Sequence, residues 1–86
     1  MDKELLKQKV CAAIDAHADK IKAICASIND EPELGFKEVK TSAKVAEFMR
    51  ELGLEPQTGL AINGVKARAK GGKPGPTAAV LGELDA

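Results

Sequence analysis

The chain has 86 residues, thirteen basic and thirteen acidic side chains, and a formal net charge of zero. That length allows one domain or part of one, and a chain so short buries only about 60% of the surface its unfolded form exposes. The basic residues are spread along the chain and are not interleaved with aromatics as a nucleic-acid footprint requires, which argues against that class of partner. Core material is thin, with two Phe, no Trp and no Tyr, and much of the apolar fraction is Ala. Burial stabilises by about 25 cal/mol per Å², so alanine adds little and low stability is expected. No apolar run could span a membrane, and the opening MDKELLKQK lacks the apolar stretch of a signal peptide. The chain is therefore expected to be soluble and cytoplasmic.

Residues 2–29 read as one long helix. Asp2 supplies an N-cap. Leu6, Val10, Ile14, His17, Ile21, Ile24 and Ile28 recur at spacings of four and three, which puts them on one face. The chain's one histidine, His17, falls within this stripe. A metal ligand would need partners, and Cys11 and Cys25 lie off its i±3 and i±4 positions, so a half-buried histidine bonded to water or a neighbour is expected. The two cysteines are fourteen residues apart in sequence, about 21 Å along a helix, too far to pair within it. They are expected as small buried hydrophobes and as free thiols of a reducing compartment.

Asn29-Asp30-Glu31-Pro32 breaks the helix, because proline disfavours a helical residue before it. Glu33-Leu34-Gly35-Phe36 is a connector, and a second helix is predicted over 38–52. Val45, Phe48, Met49 and Leu52 form its apolar face. Gly53 at C′ is expected to close it in a Schellman turn, with Leu54 packing on Met49.

Beyond Pro56 the period changes. Residues 58–62 and 65–69 read as strands around Asn63-Gly64, a hairpin signal for a type I′ turn, although Gly59 weakens the first strand. Val65, Ala67 and Ala69 alternate with Lys66, Arg68 and Lys70, as in a half-buried strand whose cations face solvent. GGKPGP at 71–76 is a turn. It is not a phosphate-binding loop, since it lacks Gly-Lys-Ser/Thr and leads into a strand. Thr77 to Leu81 is a continuous apolar run, expected as an interior strand covered on both faces. The expected class is α/β, with two helices packed on a small mixed sheet made of the hairpin and this interior strand. Such a strand needs a larger sheet than these elements supply.

The run leads into Glu83 and Asp85. At i and i+2 in a continuing strand, they point to one face with Cβ atoms about 7 Å apart. That spacing suits a shared cation or proton. By themselves they are a weak signal, because zinc sites recruit His and Cys beside carboxylates and nothing else here supplies them.

Together, three segments resemble one family. DEPELGFKEVKTSAKVAEFMRELGLE resembles the "PELGF-E-KTS" segment and following helix of the M20 metallopeptidase/amidohydrolase family. The match is to its aminoacylase-like, hippurate-type and aminobenzoyl-glutamate-type branch. TGLAINGVKARAKGGKPGPTAAVLGELDA resembles the next segment, a hairpin, "G-PGPT", and an apolar strand ending in acidic residues and Asp-Ala. The N-terminal helix also fits, so the resemblance covers nearly the whole chain.

The resemblance implies a partial zinc-peptidase-like catalytic domain. Residues 1–86 would be its N-terminal portion, incomplete and without the family's lid or dimerisation domain. Asp85 matches the acidic residue at the family's strand end, with a supporting role beside the metal centre. Glu83 takes a position that is a metal-binding His in other branches and commonly acidic in this one. The family's His-Cys-Gly-His motif, Glu-Glu pair and later histidines have no counterpart here. The chain is therefore expected to hold no metal or cofactor, while a full-length relative would use zinc or manganese to cleave amides of N-acyl amino acids. Two other readings stand beside this one. One is a small α/β module that forms a homo-oligomer through an exposed sheet edge, and the other is a half-enzyme whose remainder is a separate polypeptide. Neither involves nucleic acid or a membrane.

Overall fold

The computed structural model describes residues 2–85, in two compact units, Met1–Asp30 and Glu31–Ala86. The first unit is helical. Helix α1 runs Lys3–Ala16 and helix α2 runs Ala18–Asp30. Asp2 stands at the N-cap, where its carbonyl accepts from the Leu6 amide at 2.9 Å and its side chain makes no cap bond.

The single helix expected over 2–29 is thus two, divided at His17. The cause is local. The His17 ring Nδ1 lies 2.9 Å from the Ala13 carbonyl oxygen, and the His17 amide is shared between Ala13 O and Ile14 O at 3.2 and 3.1 Å. A side chain that competes for an i−4 carbonyl loosens the ladder there, and His17 leaves helical geometry at φ −108°, ψ 8°. His17 is exposed, not half-buried. Both cysteines are exposed free thiols, not the buried hydrophobes expected. Leu6, Val10 and Ile14 keep their common face on α1, and each is half-exposed.

The second unit is built on helix α3, Val39–Glu51, against a hairpin of β1, Gln57–Leu60, and β2, Gly64–Lys66. The end of α3 follows from its sequence. Gly53 adopts φ +83°, the Gly53 amide donates to Arg50 O at 2.9 Å, and the Leu54 amide donates to Met49 O at 3.0 Å. Those two bonds are the Schellman closure. Val45, Phe48 and Met49 are half-buried, whereas the centre of the unit is Ala46 and Thr41, each 2% exposed.

The hairpin forms, but its turn is displaced. Gln57 pairs with Lys66 and Leu60 with Gly64, so residues 61–63 make the connection in place of Asn63-Gly64. Ala61 and Ile62 take positive φ, 46° and 82°. Gly64 serves close approach instead, since a Cβ there would sit 2.5 Å from Leu60 O. Gly59, at φ +71°, falls where the register is irregular, and a left-handed glycine is the mark of one type of strand bulge.

The mixed α/β character holds. Among the described residues, however, the sheet is the antiparallel hairpin alone. Thr77–Leu81, expected as an interior strand, has no ladder partner, and Val80 and Leu81 are 99% and 95% exposed. Strand character depends on cross-strand neighbours and burial, and two short strands provide neither at this run.

Candidate functional site

Glu83 and Asp85 lie in irregular chain and both are exposed. No strand continues through them, so the common face expected of i and i+2 residues is not formed. No group of three or more His, Cys, Asp or Glu side chains among the described residues is placed to hold a metal ion. The donors among the described residues do not fit a zinc or manganese centre. His17, in the first unit, has its ring engaged with Ala13 O.

An open groove in the second unit runs between the end of α3 and β2, lined among others by Leu54, Glu55, Gln57, Lys66, Arg68 and Lys70. It includes neither Glu83 nor Asp85. Its three cations are exposed, but β2 ends at Lys66, short of the strand expected to Ala69, and Ala69 is exposed too, because β1 offers no partner beyond Gln57.

A cluster of polar contacts lies at the N-terminus of α3. The first four amides of a helix have no intrahelical partner. Glu38 occupies the N-cap but makes no side-chain cap bond. Glu33 does this work from five residues further back. Its Oε1 accepts from the Thr41 amide at 2.7 Å and from Thr41 Oγ1 at 2.9 Å, and its Oε2 accepts from the Lys40 amide at 3.2 Å. The Thr41 amide bond is the largest influence holding the Glu33 carboxyl below its ordinary value, and desolvation opposes it. Glu31 accepts from Lys40 Nζ and Lys44 Nζ, each at 3.2 Å, and the Lys40 bond is the leading cause of its lowered pKa. Glu38 turns to the hairpin, where Asn63 Nδ2 donates to its Oε2 at 3.0 Å.

These contacts give Glu33 of PELGF, and Lys40 and Thr41 of KTS, structural roles. Glu33 and Thr41 clasp each other across eight positions. Local capping patterns span three or four, so sequence reading by those patterns does not reach this pair. The signal that marks it is the joint presence of PELGF and KTS.

Comparison with known proteins places the chain beside hydrolases. It is 42% identical over 60 residues to Thermostable carboxypeptidase 2 of Saccharolobus solfataricus, covering 69% of this chain and 15% of that protein. Thermostable carboxypeptidase 1 of the same organism gives the same identity and coverage. "Putative amidohydrolase YhaA" of Bacillus subtilis is 32% identical over 81 residues, 94% of this chain and 20% of the relative. The chain therefore spans a fifth or less of the length of these curated relatives. No family model matches it, and no solved structure does. No helix among the described residues is long and apolar enough to cross a membrane.

Proposed function

We propose that these residues are the N-terminal portion of the catalytic domain of an M20-type metal-dependent amidohydrolase or peptidase. The observation that carries this reading is the similarity to "Putative amidohydrolase YhaA" along 94% of the chain. The resemblance of PELGF, KTS and PGPT to the aminoacylase, hippurate and aminobenzoyl-glutamate branch supports it. The proposed reaction of the whole protein is cleavage of an amide in an N-acyl amino acid or a related small substrate. Zinc or manganese would be held by residues outside this segment. Asp85 is proposed to support that site from its margin, with Glu83 beside it. The exposed free thiols of Cys11 and Cys25 favour a reducing, cytoplasmic setting.

The 86 residues alone are proposed to be inactive. Turnover of an N-acyl amino acid by this chain, dependent on added zinc or manganese, would refute that. The parent reading is tested by sequencing the encoding DNA past the codon for Ala86. An open frame into Leu-Pro and a His-Cys-Gly-His motif supports an amidohydrolase. A stop with no such frame behind it removes that reading.

A second reading rests on a different observation, the unpaired and exposed Thr77–Leu81 run. As a free-standing module, the chain would self-associate by pairing that run across copies. Sedimentation showing a concentration-dependent dimer supports it, and a monomer throughout overturns it.

A further inference from the structure

The connector 31–38 carries three carboxylates; Glu31 and Glu33 are engaged with residues of α3, and Glu38 with Asn63 before the hairpin's second strand. Its backbone is held in an unfavourable shape. Phe36 sits at φ 60°, left-handed and costly for a bulky residue, while Leu34 and Phe36 stand 76% and 72% exposed. Neither apolar side chain is anchored by burial. What fastens this segment to the backbone of α3 is the set of bonds made by Glu33, while Glu31 adds ion pairs from a half-exposed carboxylate, a kind worth little.

We propose that Glu33 is a proton-operated latch, which when ionised clips the connector to α3 and when protonated releases it while α3 and the hairpin stay folded. The donors around the carboxylate set this behaviour. Both Glu33 oxygens face only donors, namely the Thr41 amide and hydroxyl on Oε1 and the Lys40 amide on Oε2. An ionised carboxylate can accept all three. A protonated one must turn an O–H toward a donor, so a bond is lost, and the remainder lose their charge assistance. The positive end of the α3 dipole favours the same ionised form.

The neighbouring charges agree in sign. Lys40 adds positive charge, and Glu31 is itself paired with Lys40 and Lys44. From the hairpin the reaching group is the Asn63 amide, which does not titrate and donates to Glu38. A neutral carboxyl still has a carbonyl oxygen to accept that bond, so the tie between α3 and the hairpin survives the acid that opens the latch. The Schellman closure at the other end of α3 involves no titratable side chain. Relief of the left-handed Phe36 favours the open state.

Nitrogen-15 NMR of the full chain, titrated from neutral pH downward, tests this. The Lys40 and Thr41 amides are expected to move with one midpoint below 4.5, the ordinary glutamate value. Leu34 and Phe36 become mobile in the same step, with the Ala46 and Val65 amides unmoved. Glu33→Gln is expected to show the open connector at neutral pH, and Glu31→Gln to keep it closed. Thr41→Val retains the carboxylate but removes one donor, so its midpoint shifts up toward the ordinary value. The latch is refuted if Ala46 titrates together with Thr41, since that is global unfolding. It is equally refuted if the Thr41→Val midpoint does not rise, or if opening follows Glu31 in place of Glu33.

Discussion

Replacing Gly53 by alanine isolates a backbone effect. The residue sits at φ +83°, and a Cβ built there meets nothing within 4 Å, so no clash contributes. Left-handed geometry costs an L-residue about 1–2 kcal/mol. Alanine also stiffens the unfolded chain, which returns about 0.4–1 kcal/mol. The net expectation is a loss of about 1 kcal/mol, roughly fivefold in the folded-to-unfolded ratio. D-alanine at the same position keeps the unfolded-chain gain and favours positive φ, so it should stabilise by about 0.4–1 kcal/mol. The assay is urea unfolding of the synthetic 86-residue chain, followed by far-ultraviolet circular dichroism. Equal stability of the L- and D-alanine chains would show that residue 53 is not left-handed in solution and that α3 does not end in a Schellman closure.

Gly64→Ala places a Cβ 2.5 Å from Leu60 O, so the hairpin must shift, at a cost of about 1–3 kcal/mol. Loss of the Gln57–Lys66 cross-strand NOE is the readout, and its survival unchanged would contradict the register. Ile62→Asn should stabilise the hairpin by up to about 1 kcal/mol, because asparagine tolerates the φ of 82° that a β-branched side chain resists. The same unfolding assay checks it, and destabilisation would count against that turn. Overall stability should also depend on acid. Glu31 and Glu33 both have carboxyls held below 4.5 in the folded chain, Glu31 chiefly by Lys40 and Glu33 chiefly by the Thr41 amide. Depressed carboxylates bind fewer protons folded than unfolded. Their contribution is therefore whole above about pH 4.5 and is lost as pH falls through the folded values. Urea midpoints that stay flat from pH 6 to pH 3 in the parent chain would exclude it.

What was legible in the sequence was what neighbours along the chain decide. The body of helix α3 and its glycine stop rest on short-range contacts, and both are found where periodicity and Gly53 put them, whereas the Glu33 cap at its start is not local. The hairpin was legible in kind, but not in register. Asn63-Gly64 would normally centre the turn. Here the Gly59 irregularity offsets one strand, and Asn63 is committed to Glu38, twenty-five residues away. The break at His17 was hidden because periodicity counts side chains by face and takes no account of a ring that seeks a carbonyl. The Thr77–Leu81 run shows the opposite limit. Its composition suits a covered strand, but cover and pairing come from other elements, and no composition can supply them. Glu83 and Asp85 inherit that limit, since their common face exists only if the strand does.

The irregular stretch from Ala67 to Asp85 also sets where the chain is vulnerable to cutting. An endopeptidase specific for lysine and arginine needs its target drawn out across several residues. Lys40 and Lys44 are held within α3, whereas Arg68 and Lys70 stand exposed in non-helical, non-strand backbone. Lys73 is followed by Pro74, a poor junction for such enzymes. Lys37 is exposed as well, but its amide is tied into a turn by Leu34 O, so brief digestion should clip first after Arg68 or Lys70, shedding the glycine-proline turn and the acidic end together. The helix and hairpin of the second unit would be left as the durable product.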